Sequence, residues 1–154
     1  MTGRLAASDV EVGEELPPIT VPVRRDNLVR YAGASGDFNP IHWNERIAKS
    51  VGLPDVIAHG MFTMGAAVTC VTRWAGDPAA VVEYGVRFTK PVVVPNDDKG
   101  AELHVTGRVA ELDDAGLARV DLDVSAGGVK VLGLVRVMVA LAGAGSGDGG
   151  VRHR

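Results

Sequence analysis

Two hydrophobic rhythms divide this chain. From Arg24 to Ala34 the rhythm is helical. Leu28, Tyr31 and Ala32 fall on one face, Asp26 sits where it caps or joins the first turn, and the run stops in the breaker cluster Gly33-Ala34-Ser35-Gly36. A second, short helix is predicted over Glu45–Val51, with Asn44 as its N-cap and Gly52 just past its end. His59–Trp74 is apolar or small nearly all the way round. That predicts a helix buried on most sides, kept slim by Gly65, Ala66 and Ala67. After Gly76 everything reads as strand. Strands are expected at Val81–Phe88 and Ala101–Leu112, the latter with Gly107 marking a bulge. Asp113–Gly116 reads as a hairpin turn. Val120, Leu122 and Val124 then alternate with Asp121, Asp123 and Ser125, and Gly127-Gly128 turns the chain into the β-branched run Val129–Leu141. With one earlier strand at Ile19–Val23, the order is a strand, helices, then a meander of about four strands. This is an α+β fold with a helix packed on an antiparallel sheet.

Length and composition narrow the picture. A chain of 154 residues suits one domain and buries roughly two-thirds of its unfolded surface, so it needs no disulfide or metal staple. The single cysteine, Cys70, excludes an internal disulfide and any CxxC site. A net charge of −3 and 5% aromatic residues argue against nucleic acid. No segment has the apolar core of a signal peptide or reaches the ~18 apolar residues of a membrane span, so a cytoplasmic protein with no membrane partner is expected. The final stretch, residues 143–154, is glycine-rich and has little to bury; it is expected to be a flexible tail after a domain of residues 1–142.

Chemistry concentrates in two places. The loop Asp37-Phe38-Asn39-Pro40-Ile41-His42 sets a carboxylate and an imidazole five residues apart. In a plain helix such positions diverge by about 140°. Pro40 excludes helical geometry at Asn39, and a bend here can aim both side chains at one spot. An Asp–His pair suits a reaction that moves one proton on and one off. The same residues also suit a plain turn and cap. The second place is His59-Gly60, which opens the apolar helix. Free N–H groups at a helix start suit a developing oxyanion, and glycine lets a carbonyl approach. Close packing is the other reason for a glycine there. Of the remaining histidines, His104 reads as a surface or ladder residue of a strand, and His153 lies in the tail.

These residues carry a resemblance. Tyr31-Ala-Gly-Ala-Ser-Gly-Asp37-Phe-Asn39-Pro40-Ile-His42-Trp-Asn44 resembles the hydratase-2 motif of MaoC-like hotdog dehydratases. Ala58-His59-Gly60-Met61 resembles the start of that family's central helix, and Val86-Arg87-Phe88-Thr89 with Pro91-Val92 its first long strand after the helix. The resemblance spans roughly residues 8–142. Trp74–Pro78, Glu83-Tyr84 and Val94–Asp97 resemble in particular the catalytic B subunit of the (3R)-hydroxyacyl-ACP dehydratase of mycolic-acid synthesis. The resemblance implies a single hotdog fold, an antiparallel sheet wrapped around a long central helix. It implies interconversion of (3R)-3-hydroxyacyl and trans-2-enoyl thioesters on CoA or ACP, with no cofactor and no metal. Asp37 and His42 would hold the catalytic water and exchange protons, Asn39 would brace the loop, and the Gly60 amide would donate to the thioester carbonyl. His59 stands beside them as a supporting residue. Met61, Phe62 and Met64 are candidates to line an acyl channel, with core packing as their other reading. Val68 stands where some hydratases of the family carry a serine, which bears on acyl preference.

The family pairs two hotdogs, so a dimer is expected, either of two copies or with a non-catalytic partner subunit. Other readings of the same residues are a non-catalytic acyl-binding hotdog subunit, a hotdog thioesterase, and a metal enzyme built on Asp37, His42 and His59. No strongly basic cluster marks a carrier dock. Arg24-Arg25 read as solvated surface, as does the Arg87/Lys90 pair, with Arg87 also a candidate for the sheet interior.

Overall fold

The computed structural model describes residues 3–143. Strand β1 (Glu15–Val23) leads into helix α1 (Arg25–Ser35), the short α2 (Glu45–Ser50) and the long α3 (Gly60–Ala75). Strands β2 (Val81–Phe88), β3 (Ala101–Leu112), β4 (Leu117–Ala126) and β5 (Val129–Ala140) follow. All five form one antiparallel sheet in the order β1-β3-β4-β5-β2. Only β3, β4 and β5 make a true meander. β2 crosses to the far edge and pairs with β5, and residues 89–100, between the two expected strands, form a loop.

The alternation read from the sequence sets the inner face. Leu103, Val105 and Val109 of β3, Ala118, Val120 and Val124 of β4, and Val135, Val137 and Val139 of β5 are buried in one core, where β3 and β5 pack on α3. Helix α3 turns one stripe to them: Thr63, Ala67, Cys70, Val71 and Ala75. The expectation of burial nearly all round is therefore corrected. One sheet covers one side of a helix, and Met61, Gly65 and Arg73 stay exposed on the other. This sheet wrapped around a central helix is the hotdog arrangement.

Four further differences have local causes. β1 begins at Glu15, earlier than its apolar alternation suggested, because Pro17 and Pro18 are accommodated at an edge strand. The bulge assigned to Gly107 lies opposite it in β1, where Leu16 pairs with Gly107 but Ile19 with Val105. Gly107 instead makes room: a Cβ there would sit 2.7 Å from Leu122 and 3.3 Å from Leu16. Arg87 points to solvent, outside the sheet interior. Arg25 is no solvated surface residue. Its guanidinium donates to Val94 O at 2.6 Å, Glu45 at 3.1 Å and Asp55 at 3.0 Å, tying α1 to α2 and to the loops around the helix start. The expected tail, beyond Gly143, and His153 within it lie outside the described residues.

Candidate active site

The Asp37–His42 loop is shaped by its own side chains. The Asn39 side chain accepts from Ile41 N, Asp37 Oδ1 accepts from Asn39 N at 3.1 Å, and Pro40 opens a single 3₁₀ turn that ends at His42. Asn39, with φ −55° and ψ 121°, has the extended ψ that a following proline demands. The turn drives His42 inward to 8% exposure while Asp37 remains on the solvent side. One ligand-capable atom from each of Asp37, His42 and His59 lies within 4.8 Å of the others.

Both imidazoles have assignable tautomers. His42 Nδ1 lies 2.7 Å from the Ile57 carbonyl, which can only accept, so Nδ1 carries the proton. In the neutral ring that leaves a lone pair on Nε2. His59, 2% exposed, places Nε2 3.1 Å from the Asp37 carbonyl and donates to it by the same logic. Its buried Nδ1 has no partner among the described residues. The two rings stack with centroids 3.8 Å apart and 23° between planes, and Tyr31 meets His59 edge-on at 4.8 Å. Burial holds the His42 pKa below the ordinary 6.5. The bond to Ile57 opposes this, neighbouring His59 lowers the pKa further, and Asp37 pulls upward.

The stacking bears on metal binding. An ion held by both rings must lie close to both ring planes, about 2.0–2.1 Å from each nitrogen. Planes stacked at 3.8 Å and inclined by 23° do not meet at that distance, so this geometry does not fit an ion bridging His42 and His59.

Gly60 starts α3, and the first N–H groups of a helix have no partner inside it. Gly60 and His42 line a cavity of about 240 Å³ together with Ile57, Thr63, Phe88 and Leu132, among others. The Phe88 ring lies against Gly60, where a Cβ would stand 3.0 Å from it. The helix start is fixed from both sides. Residues 56–58 pair with 92–94 through Ala58 N to Val92 O and Val94 N to Val56 O, both 2.9 Å.

Of the residues singled out in the sequence, the fold gathers Asp37, His42, His59 and Gly60 around one end of α3. Asn39 stays in the loop and holds its turn. Met61 is 58% exposed, and Phe62 packs on Tyr31 at 5.7 Å; neither lines the cavity, and Met64 and Val68 do not line it either. The acyl-channel expectation for these side chains is not met within the single chain, where Phe62 and Val68 pack against the core and Met61 is exposed. Sequence reasoning missed Phe88, Thr89, Lys90 and Val92 as cavity walls. The signal was present: the Phe88–Pro91 stretch interrupts the strand just where it must leave the sheet. It also missed Ile57, whose carbonyl orients His42 and which no side-chain pattern announces.

Comparison with known proteins adds to this geometry. A family profile described as "MaoC like domain" matches residues 9–143. The 3-hydroxyacyl-thioester dehydratase X of Mycobacterium tuberculosis is 45% identical over 83 residues, covering 53% of this chain and 29% of that protein. An (R)-specific enoyl-CoA hydratase of Rhodospirillum rubrum is 32% identical over 104 residues, covering 67% of this chain and 71% of that protein. A solved structure described as a MaoC-like dehydratase superposes with a TM-score of 0.87 at 43% identity, over 91% of this chain and 43% of the other. The chain thus spans less than half the length of the mycobacterial relative and of this solved structure.

Proposed function

The chain belongs to the MaoC-like domain family, and from that premise we propose that it is a hydro-lyase interconverting (3R)-3-hydroxyacyl and trans-2-enoyl thioesters carried on CoA or ACP. The observation that carries this reading is a His42 ring nitrogen and an Asp37 carboxylate oxygen within 4.8 Å of each other, with His42 lining a cavity at the start of α3. Names of relatives point the same way: a 3-hydroxyacyl-thioester dehydratase and an (R)-specific enoyl-CoA hydratase.

In the hydration direction, water held by Asp37 and His42 bonds through its oxygen to C3. His42 Nε2 takes the proton that water releases. The imidazolium so formed returns a proton to C2, directly or by way of the Asp37 carboxylate, which leaves both groups as they began. Between these events negative charge builds on the thioester oxygen. The Gly60 N–H, aided by the helix dipole, is placed to stabilise it by on the order of 3 kcal/mol. His59, through Nε2–H to the Asp37 carbonyl, and Asn39, through its turn, position the loop.

The exposed side of α3 and the β2 edge, where Val82 and Phe88 are exposed, support a second hotdog as partner, either a copy of this chain or a non-catalytic subunit.

The test is product analysis with a crotonyl thioester. A (3R)-3-hydroxybutyryl thioester, heavier by one water, supports the proposal. Released crotonic acid makes the chain a thioesterase, and tight binding without turnover makes it an acyl-binding subunit; either result refutes it.

A further inference from the structure

The base of the proposed reaction is aimed by a residue that must itself be held. Ile57 meets the Asp37–His42 loop twice. Its carbonyl accepts from His42 Nδ1 at 2.7 Å, and its N–H donates to Ile41 O at 3.2 Å. Which nitrogen of His42 carries the proton therefore depends on where that carbonyl stands. Ile57 lies outside any helix or long strand, in the stretch between α2 and α3. Its neighbours make only a short pairing: Val94 N donates to Val56 O and Ala58 N to Val92 O, both at 2.9 Å. So short a ladder is not stable by itself.

Arg25 closes this ladder. Its Nε donates to Val94 O at 2.6 Å on one side, and Nη2 donates to Asp55 Oδ1 at 3.0 Å beside the other. That same Oδ1 accepts from Val56 N at 2.7 Å. Nη1 donates to Glu45 at 3.1 Å, just past the turn that ends at His42. One guanidinium thus reaches the turn that carries His42, the stretch that holds its Nδ1, and the segment paired with that stretch. The side chains of Arg25 and Asp55 are 20% and 24% exposed, so water competes weakly for these bonds. Among the described residues, no other ion pair includes a close sequence neighbour of His42 or Ile57.

We propose that Arg25 is a positioning residue for the base: by fixing residues 55–57 against 92–94 it sets the Ile57 carbonyl, and through it the tautomer and direction of His42. This rests on the reading of His42 as the base and adds to it a side chain that acts only through others. The role suits arginine. Three acceptors in three directions are met by Nε, Nη1 and Nη2, whereas a lysine ammonium presents a single point on a flexible stem.

Hydration of a crotonyl thioester by the full chain gives the kinetic test. Arg25→Ala should lose about 10²-fold in kcat, the scale of a misaligned reacting group, with KM moved by less than about threefold. Arg25→Lys keeps the charge without the fork and should stay at least about tenfold below the wild type. Arg4→Ala, which breaks the ion pair to Asp77 at the other end of α3, controls for lost stability and should keep the wild-type kcat. Nitrogen NMR of histidine-labelled protein reads the tautomer. His42 should be protonated on Nδ1 in the wild type and become a mixture in Arg25→Ala. Should Arg25→Ala fail to fold, Asp55→Asn takes its place: it keeps an acceptor for Val56 N, loses the charge facing Arg25, and should show the same mixture with kcat about tenfold down. A wild-type kcat in the variant used, full rate in Arg25→Lys, an equal loss in Arg4→Ala, or an unchanged His42 tautomer overturns the proposal. A wild-type chain that adds no water refutes the hydro-lyase reading instead, and the NMR comparison still decides whether Arg25 sets His42.

Discussion

At the scale of single residues, the account turns on which atoms are free to react. His42 offers Nε2 because Ile57 holds Nδ1, and burial keeps its pKa below 6.5. The neutral base therefore persists as pH falls below 6.5, and the acid limb of kcat/KM against pH should lie below that value. A limb above it contradicts the assignment. The same depression acts on stability. The contribution is whole above 6.5 and is lost as pH falls through the folded-state pKa of His42, so His42→Ala should flatten the dependence of Tm on pH in that window. The Gly60 amide allows a cleaner substitution. Proline at the first helical position keeps a helix intact, and His59, with φ −60° and ψ 134°, already has the backbone that must precede a proline. Gly60→Pro therefore removes the N–H while leaving the helix start in place. Gly60→Ala, which also presses on Phe88, controls for that crowding. We expect Gly60→Pro to lower kcat by about 10²–10³-fold relative to Gly60→Ala; equal rates would remove the amide from the mechanism.

At the scale of elements, the site depends on joints between segments distant in sequence. Arg25 joins α1, α2 and the Val94 loop with three hydrogen bonds. Arg25→Ala should lower stability by roughly 2 kcal/mol in denaturant melts, since charged hydrogen bonds of this kind contribute about 1.5–3 kcal/mol. A second joint is the bulge in β5, where register shifts on both neighbouring strands place an extra residue near Gly133 and Leu134. Leu134 takes φ 48°, and the bulge lets Val131 and Leu132 both turn inward to line the cavity. Leu134→Gly should relieve the left-handed strain and raise stability by up to about 1 kcal/mol; a lower Tm would contradict that reading. These joints show where sequence reading stops. Strands β2 and β3 were legible to their last residue, because turn residues bracket a β-branched run on each side. The Asp37–His42 bend was legible because proline forbids the helix. Arg25 and Ile57 were not, since their partners lie 69 residues away in one case and 15 in the other and no local pattern marks the pairing. The exposed side of α3 was misread because apolarity along a helix does not say whether the cover comes from its own chain.

At the scale of the whole molecule, that exposed side and the β2 edge bear on the proposed pairing with a second hotdog. Met61, Val82 and Phe88 are apolar and exposed at 58%, 60% and 52%. We expect activity of this chain to rise when a hotdog chain lacking the Asp/His motif is added, read by light scattering and rate together; a stable, fully active homodimer would refute the heterodimer. The centre of the proposed site is the acid–base pair. Its most direct test is the rate of water addition to a crotonyl thioester by Asp37→Asn and His42→Ala, each shown by melting to keep the fold. We predict that each loses about 10²–10⁴-fold in kcat; a near-native rate in either variant would contradict the account.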